Sequence, residues 1–310
     1  MKIVFMGTPA FAVTILKRIH ESYNELVGVV TVMDKPAGRG LKINESPVKE
    51  FVKKNNIPYL QPLKLRDPDF LKQLYAWDAD IFIVVAFRML PEQVWKIPPM
   101  GTINLHASLL PNYRGAAPIN WALINGEKET GVTTFLINEK IDTGDILLQE
   151  KVSILPNMNA GELHDILMDI GADLTLKTIK LLEKNQINAK EQEKLNNAHR
   201  KEAPKIFKEH CEINWKKENI QIHNFIRGLS PYPTAWCVLI NKKINKSIKF
   251  KIFDSKPIVE NHQKITSTNQ GIIFPCNTGS ILVTELQAEG KRKMNFKEFL
   301  AGNNLDDYEV

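Results

Sequence analysis

The sequence predicts an α/β fold, with a Rossmann-like, open and mostly parallel sheet in the amino-terminal domain and a small OB-like β-barrel in the carboxyl-terminal domain. Strand and helix patterns alternate through residues 1–188, which is typical of a parallel sheet with right-handed crossovers. The run ADIFIVVAF is apolar almost throughout, as expected of a strand covered on both faces. After residue 205 the pattern changes to short strands separated by Gly, Asn and Lys turns, which favours a barrel.

The amino-terminal elements follow from local signals in chain order. KIVFMG is a strand, and the helix TPAFAVTILKRIHES after it has Thr8 as its expected N-cap and Pro9 as its first helical residue. A Ser-Pro pair, similar to the Thr-Pro pair of the first helix, opens the helix SPVKEFVKKNN. Further strands are predicted at ELVGVVTVM, IPYLQP, TINLHAS, TGVTTFLI and DILLQEKVSI, and further helices at LRDPDFLKQLYAW, APINWALINGE and GELHDILMDIGADLTLKTIKLLEKN.

A change of composition divides the chain near its middle. The segment NAKEQEKLNNAHRKEAPK is polar, charged and poor in apolar residues, as interdomain linkers are. We therefore expect a first domain over 1–188, a linker over 189–205 and a second domain over 206–310. The second domain is predicted to contain the helix NIQIHNFIRGL, the Pro-rich turn SPYPTAW, the strands WCVLI, SIKFKIF, GIIFPC and SILVTEL, and a closing helix NFKEFLAG.

Composition excludes several classes of protein. With 43% hydrophobic and 25% charged residues, the chain has an ordinary globular composition, and no apolar run approaches the ~20 residues of a membrane span. The first residues enter a strand directly and lack the apolar core of a secretion signal, so we expect a cytoplasmic protein with no membrane segment. The 3 cysteines are far apart and form no CxxC, which argues against a disulfide framework and a zinc cluster.

The basic charge is concentrated in one part of the chain. The formal net charge is +6, and the whole excess lies in residues 200–310. A basic domain beside a neutral one suggests a polyanionic partner such as nucleic acid. A solvated lysine-rich surface is an equal alternative on charge alone.

Three polar residues form a candidate reaction site. Asn104 and His106 stand two positions apart at the end of the strand TINLHAS, so their side chains share one face. Open α/β sheets bind ligands at that end of their strands. Asp142 follows in a glycine-containing loop between two apolar strands. Such a set suits acyl transfer, because an amide or imidazole N–H can stabilise an oxyanion and a carboxylate can orient the imidazole or accept a proton.

The same residues leave a structural alternative open. No Ser or Cys lies in a nucleophile-elbow context, so the nucleophile would be a substrate group. His106 could equally be a structural hydrogen-bonding residue, and spacing alone does not decide between the two roles. The MGTP turn lacks GxGxxG, so the sheet carries no dinucleotide fingerprint.

The longer motifs resemble a known family. INLHASLLPNYRGAAP, with IDTGDIL downstream, resembles the 10-formyltetrahydrofolate-dependent formyltransferases. Within that family, several features resemble the members that formylate initiator methionyl-tRNA, and the resemblance covers nearly the whole chain. The features that carry this closer resemblance are IVFMGTPAFAV, the loop DKPAGRGLK followed by SPVKEF, and, in the second domain, APKI, IRGLSPYPTAW and LQAEGKRKMNFKEFLAG. One segment departs from the pattern, with VVAFRMLP where family members usually carry VVAYGxxLP.

The resemblance implies a role for each matching position. Asn104, His106 and Asp142 would be catalytic, in a formyltransferase domain that uses 10-formyltetrahydrofolate as co-substrate and no metal. The folate would be held by Ser108, Leu109, Leu110 and Pro111, together with Phe87, Met89 and Leu90. The tRNA would be bound by Arg39 and Lys42 of the loop over 34–45 and by Lys291, Arg292 and Lys293 of the barrel.

The resemblance also implies an activity and leaves rivals to it. The chain would transfer a formyl group to the α-amino group of initiator methionyl-tRNA for translation initiation, and we expect it to act as a monomer. The rivals are a formyltransferase for a small amine, a folate- or RNA-binding protein without turnover, and a hydrolase that releases formate.

Overall fold

The computed structural model describes residues 1–37, 42–194 and 200–309. The chain forms two compact units that interleave along the sequence. The first unit comprises Met1–Gly115, Thr130–Val152 and His164–Glu202, and the second comprises Ala116–Glu129, Ser153–Leu163 and Ala203–Val310. The expected domains over 1–188 and 206–310, with a linker over 189–205, stay a prediction. In the structure, the second unit also includes two segments from earlier in the chain, Ala116–Glu129 and Ser153–Leu163.

The first sheet has the predicted Rossmann-like character. The strands along this part of the chain are β1 (Lys2–Gly7), β2 (Glu25–Val30), β3 (Lys35–Ala37), β4 (Lys42–Asn44), β5 (Tyr59–Leu60), β6 (Ile81–Val85), β7 (Thr102–His106), β8 (Arg114–Gly115), β9 (Glu129–Leu136) and β10 (Ile146–Ser153). Seven of them form the sheet, in the order β10-β9-β7-β6-β1-β2-β5, whereas β3, β4 and β8 pair outside it. All pairs from β7 to β5 are parallel, and β9 runs antiparallel to β7. The helices along this part of the chain are α1 (Ala10–His20), α2 (Pro47–Lys54), α3 (Pro68–Ala76), α4 (Glu92–Trp95), α5 (Pro118–Ile124) and α6 (Ala160–Glu183).

Burial explains why the central strands are apolar. Every residue of β6 is buried, and Ile3, Val4, Phe5 and Met6 of β1 have no exposed surface. Strands covered on both faces read as continuous apolar runs, as predicted for ADIFIVVAF. Strand order reverses between β1 and β6, and ligands bind beside such a reversal in open α/β sheets.

The helix starts confirm one predicted cap and correct another. Ser46 caps α2, since its hydroxyl accepts a hydrogen bond from the Lys49 amide at 3.1 Å. The prediction of Thr8 as the N-cap of α1 is wrong, because Pro9 occupies that position in an extended conformation and α1 begins at Ala10 without a side-chain cap.

The two ends of the loop over 34–45 pair with each other as the strands of a hairpin. β3 pairs with β4 in antiparallel register, with Lys35 opposite Asn44. Lys42 is the first residue of β4, and Arg39 lies outside the described residues. The residues that flank the hairpin share a cation from α2, because the ammonium of Lys49 contacts Asp34 at 2.5 Å and Glu45 at 3.2 Å.

The second unit contains a curled antiparallel sheet of half-barrel form, which confirms the predicted class. The elements along this part of the chain are β11 (Glu202–Ala203), α7 (Asn219–Leu229), β12 (Ala235–Asn241), β13 (Lys246–Ile258), β14 (Thr266–Ser267), β15 (Ile272–Pro275), β16 (Ser280–Ala288), β17 (Met294–Asn295), α8 (Phe296–Leu300) and β18 (Tyr308–Glu309). The strand order of the sheet is β14-β15-β16-β13-β12-β18, with β17 paired to β16. Register shifts around Asp254 interrupt the long strand β13, as bulges do where a sheet bends. The edge strand β14 contacts residues 305–307, which lead into the opposite edge strand β18.

The second unit also takes a helix from the middle of the sequence. Helix α5 packs against α7, where the side-chain amide of Asn120 donates to the carbonyl of Gly228 at 2.8 Å. Cys211 and Cys237 are buried in the core of this unit and carry free thiols, and burial raises the pKa of Cys237 to about 12. Across the described parts of the chain, no helix combines the length and apolar character needed to span a bilayer.

Candidate active site

Asn104 and His106 lie together at the end of β7. They occupy alternate positions of the strand, between the parallel neighbour β6 and the antiparallel neighbour β9. His106 is buried, and Asn104 is half-buried. Within the described residues, no protein group hydrogen-bonds to the side chain of Asn104. A strand end therefore presents an amide whose donors are available to a ligand.

Asp142 approaches His106 from the loop between β9 and β10. Its Oδ2 lies 3.7 Å from His106 Nδ1 and accepts a hydrogen bond from the Gly115 amide at 2.9 Å. The backbone of Asp142 is left-handed, with a φ of 52°. The structure thus brings together Asn104, His106 and Asp142, which sequence spacing alone left unconnected.

The hydrogen bonding of His106 defines its tautomer. Its Nε2 lies 2.8 Å from the carbonyl oxygen of Tyr113, which can only accept, so the assigned tautomer carries its proton on Nε2. In the neutral ring, Nδ1 then faces Asp142 as a proton acceptor. The predicted donor role of His106 consequently requires a second proton, on Nδ1, beside the Asp142 carboxylate.

The loop after β7 is fixed by hydrogen bonds from β9 and β10. Ser108 donates to the carbonyl of Asn112 at 2.7 Å, and Thr133 donates to the carbonyl of Ser108 at 2.6 Å. The hydroxyl of Thr133 also accepts from the Leu110 amide at 3.1 Å. Gln149 donates to the Leu110 carbonyl at 2.8 Å. These contacts attach the loop backbone to β9 and β10.

The four residues predicted to hold folate in this loop differ in exposure. Ser108, Leu110 and Pro111 are buried, and Leu110 packs against Phe135 and Ile146. Leu109 is only half-buried. Folate contacts from this loop would therefore come from its backbone and from Leu109.

Arg88 connects the segment after β6 to the segment after β5. It stands in VVAFRMLP, the segment that departs from the family pattern. Arg88 donates to the carbonyls of Pro62 and Leu63, the latter at 3.0 Å, and its guanidinium lies 5.6 Å from the centre of the Phe87 ring. Burial lowers the pKa of Arg88. On either side, Phe87 is half-buried and Leu90 is buried, whereas Met89 is 67% exposed.

A cavity of about 410 Å³ opens beside the loop that carries Asp142. Its size lies within the usual range for small-molecule sites. It is lined by Trp95, Asn138, Glu139, Lys140, Thr143, Asp145, Glu191 and Gln192. None of these residues was predicted from the sequence, and Gln192 lies in the predicted linker. Thr143 and Asp145 lie in the motif IDTGDIL but were given no role of their own, and no motif marked the other six, whose common feature is their position around one cavity.

The predicted tRNA contacts are only partly described. In the second unit, Arg292 pairs with Glu298 at 2.6 Å and Lys293 with Glu285 at 2.5 Å. Lys291 is exposed. Two of the three barrel cations therefore already have carboxylate partners, with which a phosphate would have to compete. Over the residues that the structure describes, no group of three or more His, Cys, Asp or Glu is arranged to hold a metal ion.

Family models match both parts of the chain. A model described as formyl transferase matches residues 1–179. A model described as formyl transferase, C-terminal domain, matches residues 205–304.

Full-length relatives share nearly half of their residues with this chain. The methionyl-tRNA formyltransferase of Flavobacterium johnsoniae is 49% identical over 99% of this chain and 98% of its own length. That of Bacteroides thetaiotaomicron is 46% identical over 99% and 97%. That of Clostridium acetobutylicum is 46% identical over 99% and 98%.

Solved structures share the fold at lower identity. The sugar 3N-formyl transferase WlaRD, solved in the presence of dTDP and 5-N-formyl-THF, has a TM-score of 0.68 at 22% identity and covers 94% of this chain and 99% of its own. An N-formyltransferase from Helicobacter canadensis, in complex with folinic acid and dTDP-3-aminofucose, has a TM-score of 0.66 at 22% identity over 95% and 100%. The likeness therefore extends through both units of the fold.

Proposed function

The chain belongs to the formyl transferase family, and on that basis we propose that it transfers the formyl group of 10-formyltetrahydrofolate to the α-amino group of initiator methionyl-tRNA. The product would be N-formylmethionyl-tRNA for translation initiation. The observation that carries this proposal is the close likeness of the whole chain, including its basic second unit, to methionyl-tRNA formyltransferases.

The chemistry is a direct acyl transfer between two substrates. The α-amine attacks the formyl carbon, and the tetrahedral oxyanion then collapses with cleavage of the bond to N10 of the folate. The amine loses one proton and N10 gains one, so the reaction is balanced in protons. Since a free α-amine has a reference pKa of ~7.7–8.0, a useful fraction is unprotonated near neutral pH. The enzyme must supply orientation, oxyanion donors and a proton path.

Three side chains can meet those needs. Asn104 donates its amide N–H to the oxyanion, since that side chain is half-buried and uncommitted among the described residues. The proton of the attacking amine passes to Asp142, directly or through water. His106 Nδ1, 3.7 Å from Asp142 Oδ2, receives or returns that proton. Once protonated, Nδ1 is a second donor near the reacting centre.

The folate would occupy the surface bounded by the loop after β7 and the segment after β6. Ser108, Leu109, Leu110 and Pro111 supply a rigid backbone, and Phe87, Met89 and Leu90 supply apolar surface. The cavity beside Asp142 offers further room, with the indole of Trp95 as an apolar wall. Solved proteins of the same fold were crystallised with tetrahydrofolate derivatives, which supports a folate as the co-substrate.

The tRNA would be bound by basic residues outside the reaction site. We propose Arg39 and Lys42, both between residues 34 and 45, and Lys291, Arg292 and Lys293 of the second unit as phosphate contacts. We further propose that the enzyme acts as a monomer in the cytoplasm, where translation supplies its substrate.

The test is transfer of labelled formyl from 10-formyltetrahydrofolate, with initiator methionyl-tRNA and glycinamide ribonucleotide offered separately. We expect label on the tRNA alone. Label on the small amine, release of free formate without an acceptor, or folate binding without turnover would each contradict the proposal and identify one of its rivals.

A further inference from the structure

The loop that carries Asp142 is held by internal hydrogen bonds around Asn138 and Thr143, and in addition by a residue outside the loop. Asp142 adopts a φ of 52°, and the carbonyls of Asp142 and Gly144 point to the same outside residue. Left-handed backbone is sparsely populated for residues other than glycine and persists where the surrounding contacts hold it. The partner of those carbonyls is therefore important for the position of the carboxylate.

That partner is Gln192, which is only 1% exposed. Its Nε2 donates to the carbonyl of Asp142 at 3.1 Å and to that of Gly144 at 2.6 Å. Its Oε1 accepts from Nε and Nη2 of Arg114 at 3.1 and 2.6 Å. All four hydrogen-bonding positions of the side-chain amide are used. A flipped amide would face carbonyls with an acceptor and a guanidinium with a donor, so the orientation is fixed.

The connections of Gln192 close a ring around the carboxylate. Gly115 follows Arg114 in the chain, and its amide donates to Asp142 Oδ2 at 2.9 Å. Gln192 thus holds the backbone of Asp142, and through Arg114 it holds the segment that binds the carboxylate. The same segment begins with Tyr113, whose carbonyl accepts from His106.

The segment before Gln192 is itself anchored to the sheet. The amide of Ile146 donates to the carbonyl of Lys190 at 2.9 Å, and the amide of Lys190 donates to the carbonyl of Ile146 at 2.8 Å. This pair attaches the chain two residues before Gln192 to the first residue of β10. Gln192 therefore reaches the Asp142 loop from a fixed backbone.

We propose that Gln192 is a positioning residue of the formyl transfer reaction, which sets the distance between the Asp142 carboxylate and His106. This inference rests on the proposed role of Asp142 in catalysis. It assigns a part in the reaction to the segment that the sequence predicts to be a linker. The side-chain amide of Gln192 is fully committed to Arg114 and the two loop carbonyls, so we expect its effect to be carried by Asp142.

The first arm of the test is kinetic. Gln192→Met keeps the side-chain length but has no amide, and we expect kcat to fall about 10–100-fold with an unchanged KM for the amine acceptor, because misplacement of a reacting group affects turnover. Gln192→Glu retains an acceptor for Arg114 but offers no donor to the two carbonyls, and it should lose kcat as well. Lys194→Gln, an exposed neighbour, is the matched control and should keep wild-type kinetics. A Gln192→Met enzyme with wild-type kcat would overturn the inference.

The second arm asks whether the effect passes through Asp142. In an Asp142→Asn background, adding Gln192→Met should reduce kcat by less than about threefold, since coupled residues give non-additive effects. A full additional loss would show that Gln192 acts independently, for example by stabilising the fold, and would contradict the proposal.

A third arm does not depend on activity. We expect amide hydrogen exchange at Lys140 and Ile146 to be about tenfold faster in Gln192→Met than in wild type, because local opening becomes easier when the loop loses its clamp. Unchanged exchange would refute the positioning role even if the enzyme used another acceptor. Formyl transfer to a small amine instead of tRNA would contradict the proposed function only, because the kinetic arms can be measured with either acceptor.

Discussion

At the scale of single residues, the proposed chemistry depends most directly on Asn104, the proposed oxyanion donor. Its amide is half-buried at the end of β7 and is available to an oxyanion. We expect Asn104→Ala to lower kcat by about 10²–10³-fold, which is the usual cost of removing one oxyanion donor. Steady-state kinetics with both substrates would measure the effect, and the KM for tRNA should not change. Near-normal turnover would remove Asn104 from the mechanism.

A second residue-scale prediction concerns stability and pH. His223 is buried in the second unit, where its Nδ1 lies 3.2 Å from Ser255 Oγ and its Nε2 lies 3.4 Å from the Pro156 carbonyl. Burial lowers the pKa of His223. The unfolded chain therefore takes up a proton at a higher pH than the folded chain, and this destabilises the fold as pH falls below ~6.5, by up to ~1.4 kcal/mol per pH unit.

The measurement is urea unfolding at a series of pH values from neutral to mildly acidic. We expect the free energy of unfolding of wild type to fall with pH across this window. The decrease should be smaller in His223→Gln, which has no titratable group there. His164→Gln, at a partly exposed histidine beside Asp165, is the matched control. Equal pH dependence in His223→Gln and wild type would contradict the prediction.

At the scale of elements, the connection between β9 and β10 is constrained by a close approach of backbone to backbone. A Cβ placed on Gly144 would lie 1.6 Å from the carbonyl oxygen of Leu136 and 2.8 Å from its carbonyl carbon. No rotamer change relieves such a contact, so any side chain at this position must displace the loop that carries Asp142.

This close approach predicts a functional effect at a glycine that does no chemistry. We expect Gly144→Ala to lower kcat about 10²-fold, since a shift of about 1 Å in a reacting group costs that much. Gly302→Ala, where no atom of the described residues lies within 4 Å of the added Cβ, is the matched control and should behave as wild type. Normal kinetics in Gly144→Ala would show that the loop tolerates displacement and that the position of Asp142 is less critical than we propose.

At the scale of the whole molecule, charge is divided between two regions of the sequence. The formal excess of +6 lies in residues 200–310, so tRNA affinity should depend strongly on salt. We expect the combined variant Lys291→Gln, Arg292→Gln and Lys293→Gln to reduce the slope of log KM for tRNA against log salt by about one per lost phosphate contact. The KM for folate should not change.

The control for this prediction is a combined variant of three exposed lysines of the first unit, Lys17→Gln, Lys72→Gln and Lys177→Gln, which removes the same charge elsewhere. If both combined variants give the same salt slope, the effect is one of net charge and the three barrel residues are not specific contacts. A smaller change for Arg292 and Lys293 than for Lys291 in single variants would reflect their carboxylate partners.

The sequence predicted most of the fold because its signals are local. Two-residue spacing placed Asn104 and His106 on one strand face, and the Ser-Pro pair located the start of α2. The nearness of Asp142 could not be obtained from spacing, since it depends on how β9 and β10 pair and on the Gly115 amide. Asp142 was grouped with the other two residues because its glycine-containing loop lies between two apolar strands, and the resemblance implied the same set.

Other features had no local signal at all. Gln192 acts through two backbone carbonyls 48 and 50 residues away and a guanidinium 78 residues away, and such partners leave no pattern around the residue itself. Helix α5 has an ordinary helical sequence, so nothing in its composition showed that it packs against α7. The Thr8 prediction was wrong because a proline one position before a helix can itself occupy the N-cap.

The interleaving of the two units limits how this protein can be divided or recombined. The chain passes from one unit to the other at residues 115/116, 129/130, 152/153, 163/164 and 202/203. A gene fragment that starts at the predicted linker would omit α5 and expose the surface of α7 that α5 covers. Chimaeras between relatives should therefore exchange all three segments of the second unit together. During synthesis, the two early segments must wait until the ribosome has released the carboxyl-terminal third before the second unit can fold.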